Sequence, residues 1–132
     1  MTATARPEEG DVHTFERTFT HEDVERFGEV SGDRQAIHTE PDDEGRLVVQ
    51  GLLTATLPTK IGGDLGVLAR TMEFEFRKPV YTDETITCEV TVTTVTERDD
   101  RYELACSVDC HDEDGTTVMR SGFEGLIWKD ER

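Results

Sequence analysis

The chain has 132 residues, 34% of them hydrophobic, with 30 acidic side chains against 14 Lys and Arg and a formal net charge of −16. That length suits one domain spanning residues 1–132, able to bury about two-thirds of its unfolded surface. No run approaches the roughly 20 apolar residues of a membrane span, "MTATARPEEGD" lacks the apolar core of a signal peptide, and no basic stripe exists to meet nucleic-acid phosphates. A cytoplasmic protein without membrane or nucleic-acid partners is therefore expected. The acids run along the whole chain, and only Lys60, Lys78 and Lys129 are lysines. A disordered acidic chain is one reading of such composition, but the strand patterns below argue against it. The charge is read as the acid coat of a folded protein adapted to high salt, where a Debye length of about 3 Å at 1 M relieves self-repulsion.

In chain order, a short N-terminal strand precedes "TFTHEDVERFGEVSGD". There Thr20 can cap a helix, Glu22 and Asp23 suit its positive end, and Val24 and Phe27 give an apolar face. Gly28 and Gly32 weaken or end it, so about two turns are expected before "SGDRQAIH". "TEPDDEGR" (39–46) reads as a surface loop. "LVVQGLLTATLPTKIGG" reads as a longer, mostly buried helix whose body starts near Gly51, which Pro58 would kink and Gly62 and Gly63 would end.

The period then changes to two. Met72, Phe74 and Phe76 alternate with Glu73, Glu75 and Arg77; Ile86, Cys88, Val90 and Val92 follow in the next strand. Asp99 and Asp100 make a turn, then Tyr102, Leu104, Cys106 and Val108 share a face. "DEDG" turns the chain into a last strand, with Gly122 as an expected bulge. Three cysteines without a secretion signal argue against a disulfide framework. "CSVDCH" lacks zinc spacing and a second ligand pair, so Cys106 and Cys110 are read as strand residues on one face, with no metal. His13, His21 and His111 are read as surface residues. One buried helix wrapped by four long antiparallel strands is an α+β arrangement. An edge strand left open in such a sheet favours a homodimer.

"FGEVSGDRQAIH", "VVQGLLTATL" and "MEFEFRKPVYTDETITCEV" together resemble the MaoC-like family, which includes the (R)-specific enoyl-CoA hydratases. The family segment S-G-D-x-N-P-[LI]-H is matched by Ser31, Gly32, Asp33, Ile37 and His38, and its later H-G-M-L by Gly51 and Leu53. Gln35 and Ala36 replace its Asn-Pro, Gln50 its histidine and Leu52 its methionine, and the loop between His38 and Gly51 is shorter than in the family's hydratases. The resemblance implies a hot-dog fold: a long central helix wrapped by an antiparallel sheet, usually dimeric.

It also implies addition of water across the 2,3 double bond of an enoyl-CoA, or the reverse, with Asp33 and His38 as the acid–base pair. No cofactor is expected, because the thioester itself acidifies the α carbon. Burial in an apolar pocket would raise the Asp33 pKa; which of the pair takes the proton stays open. Gly51, at a helix start, is the candidate N–H donor to the thioester oxygen. Thr59 falls where the family has a serine supporting the aspartate. A cation for the coenzyme A phosphates is sought in Arg70 or Arg77. Two alternatives remain: a hot-dog thioesterase, and a non-catalytic acyl-binding subunit.

Overall fold

The computed structural model describes residues 6–130; the first five residues of the stretch read as lacking a signal core lie outside them. The elements are β1 (Val12–Thr18), α1 (His21–Ser31), α2 (Ala36–Thr39), α3 (Gly51–Thr54), α4 (Thr56–Leu65), β2 (Leu68–Phe76), β3 (Thr85–Glu97), β4 (Arg101–His111) and β5 (Thr117–Trp128). The strands form one antiparallel sheet in the order β1-β3-β4-β5-β2. Helix α4 lies against β1, β3 and β2. This is a hot-dog fold, as the sequence led us to expect.

The core forms where the period-two pattern meets the helix. Ile86, Cys88, Val90 and Val92 of β3 and Leu104, Cys106, Val108 and Cys110 of β4 are buried, with Leu57 and Ile61 of α4 covering them. All three cysteines are free and buried. The outer residues of β3 and β4 alternate away from this core, and there Glu89, Asp109 and His111 bring ligand-type atoms within 4.8 Å of one another.

Helix α1 is longer than the two turns expected. Thr20 and Asp23 form a reciprocal capping box at its start, and Gly28 sits buried inside it. The helix ends at Gly32, whose φ of 79° is a left-handed conformation that glycine reaches without steric cost. The long helix starts at Gly51, where its body was expected, pauses and runs on. Residues 47–50 are extended, with Val48 bridged to Tyr81. The helical path breaks at Ala55 between α3 and α4. That break places Pro58 in the first turn of α4, where its missing N–H has no intrahelical partner to lose. Gly62 and Gly63 lie inside α4, and the cap is Gly66.

Two further expectations change. Met72, Phe74 and Phe76 share the inner face of β2, where Phe74 packs on the core, but Met72 and Phe76 stay 39% and 51% exposed because, among the described residues, β2 is an edge strand bonded only to β5. Gly122 makes no bulge, for it pairs in register with Ser107 and Glu73; the irregularity between β4 and β5 falls at Cys110 and His111.

Candidate active site

The chain between α1 and α3 carries the site. After Gly32 the chain reverses, and the Asp33 N–H donates to Ser31 Oγ at 3.0 Å. An extended Gln35 then starts the short helix α2, which holds Ile37 and His38. Sequence reading left this segment as a helix end followed by a loop; a four-residue helix is too short to show a period. Asp42 closes the following loop on itself by accepting the backbone N–H groups of Glu44 and Arg46 and the Arg46 side chain. That closure returns residues 47–50 alongside α2.

Val48 grips α2 from both sides of its peptide. Its N–H donates to Ile37 O at 2.9 Å, and its carbonyl accepts from His38 Nδ1 at 2.6 Å. A carbonyl only accepts, so Nδ1 carries a proton and Nε2 is the nitrogen turned to the site. Nε2 lies 3.5 Å from Asp33 Oδ2. Gln35 Nε2 donates to the other Asp33 oxygen at 2.9 Å. His38 is buried, whereas the Asp33 side chain keeps 37% of its exposure.

The hydrogen bond from the Gln35 side chain, with lesser help from the Gln35 backbone and His38, holds the Asp33 carboxyl below its ordinary value of 3.8. This corrects the rise expected from burial: at a third-exposed carboxylate, desolvation is outweighed by donors. The departure from Asn-Pro at Gln35 thus supplies a direct partner to the aspartate, a role that sequence reading missed.

Asp33 and His38 share the wall of a cavity of about 710 Å³ with Phe27, Gln50, Gly51 and Thr54. Gly51 stands at the start of α3, and no protein acceptor for its N–H is present among the described residues. A Cβ there would meet the Phe76 ring at 3.0 Å, so glycine is what lets the end of β2 close over the helix start. Arg77 and Lys78 also line the cavity. Arg77 lies 3.5 Å from Glu75, and Lys78 donates to the buried Asp112 at 2.8 Å.

Two residues that the sequence assigned to the site lie elsewhere: the structure sets Thr59 and Arg70 outside this cavity. Thr59 is exposed and donates to Ala55 O at 3.0 Å; the threonine in the cavity wall is Thr54. Arg70 is 78% exposed, with its guanidinium 4.0 Å from Glu124.

The chain belongs to the MaoC-like domain family, whose model matches residues 3–112. It is 28% identical over 120 residues to a mitochondrial 3-hydroxyacyl-[acyl-carrier-protein] dehydratase of Arabidopsis thaliana, covering 86% of this chain and 72% of that protein. A crystal structure of an Archaeoglobus fulgidus protein superposes with a TM-score of 0.79 at 26% identity, over 94% of this chain and 81% of the other. The (R)-hydratase from A. caviae involved in PHA biosynthesis also gives a TM-score of 0.79, at 22% identity, over 92% and 96% of the two chains. These relatives support a hot-dog hydratase or dehydratase. Among the described residues no helix is long and apolar enough to cross a membrane.

Proposed function

We propose that the protein hydrates trans-2-enoyl thioesters of coenzyme A to (R)-3-hydroxyacyl thioesters, and catalyses the reverse. The observation that carries this reading is the placement of Asp33 and His38, 3.5 Å apart, in the wall of one cavity with the unpartnered Gly51 N–H. Asp33, kept ionised by Gln35, accepts a proton from water as its oxygen bonds to C3. The C2=C3 electron pair moves toward the thioester carbonyl, and Gly51 N–H stabilises the oxygen that gains charge. His38, carrying a proton on each ring nitrogen in this step, with Nδ1–H held by Val48, delivers the Nε2 proton to C2. The proton left on Asp33 returns to Nε2 across their contact, which restores both groups.

The active unit in this proposal is a homodimer. Edge strand β2 exposes Met72 (39%) and Phe76 (51%) on one face and, across the register shift between Ala69 and Thr71, Leu68 (61%) on the other, all beside open backbone groups. Arg77 is the arginine placed to meet a phosphate of coenzyme A, because it lines the cavity and Arg70 does not. The test is incubation with crotonyl-CoA in molar KCl, following loss of the enoyl absorbance, the chirality of the 3-hydroxy product and free thiol. Hydration without thiol release is expected. Thiol release without hydration assigns a thioesterase, and neither reaction assigns an acyl-binding subunit.

A further inference from the structure

The outer face of the sheet carries a second cluster, away from the cavity. Glu89 of β3 and Asp109 of β4 are direct cross-strand partners, and His111 follows on β4. One ligand atom from each lies within 4.8 Å of the other two. His111 Nδ1 and Asp109 Oδ2 are 3.4 Å apart, and their side chains keep 28% and 39% of their exposure. Two ligands of one tetrahedral ion, each on a bond of about 2.1 Å, are themselves about 3.4 Å apart. Glu89 is exposed, so rotation of its side chain can close the remaining gap. None of the three lines the cavity of Asp33 and His38.

The surroundings set Asp109 up as a ligand. Thr117 Oγ1 donates to its Oδ1 at 3.1 Å, and Arg120 Nε stands 3.8 Å from the same oxygen. The donors gather on Oδ1, which leaves Oδ2 toward His111. A carboxylate whose second oxygen is held in this way is oriented before an ion arrives. The β4–β5 register shifts between Cys110 and His111, and such an irregularity re-aims the side chain beside it. Glu89 and Asp109 also set like charges directly opposite each other, which destabilises a sheet unless a cation joins them. Arg120 approaches Asp109 alone, and among the described residues no Lys or Arg pairs with Glu89.

We propose that Glu89, Asp109 and His111 hold a divalent transition-metal ion of the zinc class, which clips β3 to β4 on the outer face of the sheet. The imidazole decides the class of ion. Mg²⁺ and Ca²⁺ take oxygen ligands, whereas a nitrogen beside two carboxylates suits Zn²⁺, Ni²⁺ or Cu²⁺. Three protein ligands leave a further position for water. The softer ligands of the chain do not compete, because Cys88, Cys106 and Cys110 are buried in the core on the inner face. The segment from Cys106 to His111 thus divides, sulfur inward and imidazole outward. This site and the hydratase reading stand independently of each other.

The experiment titrates ZnCl₂ into the metal-stripped full chain in molar KCl, by calorimetry, with circular dichroism as the check of fold. Wild type is compared with His111→Ala, Asp109→Asn, Glu89→Gln and, as a histidine control away from the cluster, His21→Ala. At that salt a Debye length of about 3 Å removes the general pull of a chain of formal charge −16 on cations. We expect one Zn²⁺ per chain in wild type and in His21→Ala, and affinity at least about tenfold weaker in each of the three site variants. MgCl₂ in about hundredfold excess over Zn²⁺ should leave the wild-type isotherm in place. Asp109→Asn and Glu89→Gln keep the shape of the side chain, so the comparison holds even where His111→Ala loses its fold. Zinc affinity within twofold of wild type in the folded site variants overturns the site. Displacement by Mg²⁺ marks binding by carboxylates alone and overturns it too, as does the absence of saturable binding to wild type.

Discussion

Asp33, His38 and Gln50 have fewer hydrogen-bond partners than they can hold, whereas Asp112, held by Lys78 of the same cavity wall, is well supplied. Asp112 is buried, and its carboxylate accepts from the N–H groups of Asp114 and Thr116 and from Lys78. On the other side, among the described residues, Gln50 Oε1 has no donor and His38 Nε2 has only an aspartate at 3.5 Å. Both groups of residues are polar and neither is far from the substrate space. Bonding capacity left open, more than charge or burial, separates the chemical wall from the structural one.

The largest expected effect breaks the open side. Asp33→Asn and His38→Ala should each lower kcat at least about a hundredfold, the low end for a general acid–base group, with circular dichroism unchanged. Steady-state hydration kinetics check it, and near-normal turnover in either variant removes the assignment. Next comes the helix start. Gly51→Ala sets a methyl group 3.0 Å from the Phe76 ring, and a displaced N–H should cost about tenfold in kcat, less than the hundredfold of a full ångström of misplacement. Phe76→Leu should recover part of that loss in the double variant. A Gly51→Ala enzyme with full activity would mean that the N–H is not a donor in the reaction.

A smaller effect concerns Gln35. Because its side chain is the leading cause of the lowered Asp33 pKa, Gln35→Ala should move the Asp33 titration up toward 3.8, read by carboxyl NMR. An unchanged titration would move the cause elsewhere. The smallest catalytic effect is expected on the saturated side. Lys78 lowers the Asp112 pKa below 3.8 in the folded protein. A depressed folded-state pKa gives stability that is present above the unfolded value and lost as pH falls through the folded one. Lys78→Met should therefore reduce stability at neutral pH and flatten its loss below about pH 4, while kcat stays within twofold. Urea unfolding at pH 7 and pH 3 tests the sign, and a kcat loss of tenfold would erase the contrast between the two walls.

Much of this arrangement was legible beforehand, because it depends on local spacing. The alternation through β3 and β4 and the Thr20–Asp23 cap are near-neighbour patterns, and the structure repeats them. Asp33 and His38 stood out through a family-like segment. What escaped depends on contacts far along the chain. Met72 and Phe76 alternate like a core strand, but a strand's place at the sheet edge is decided by pairing with β5. Gln50 read as a departure from a motif, because an acceptor without a donor is a property of its surroundings. Thr59 was aligned along one continuous helix, whereas the path breaks at Ala55.

The contact between Gly51 and Phe76 joins a boundary to a centre. Phe76 is the last residue of β2, the strand proposed to meet a second copy, and its ring rests against the glycine whose N–H is proposed to steady the thioester oxygen. If the two edges meet, the ring is braced from outside and the helix start with it. Maturation of the pocket would then trail assembly, and a solitary newborn subunit would be a poor catalyst through want of a brace, with every reacting group already in its chain.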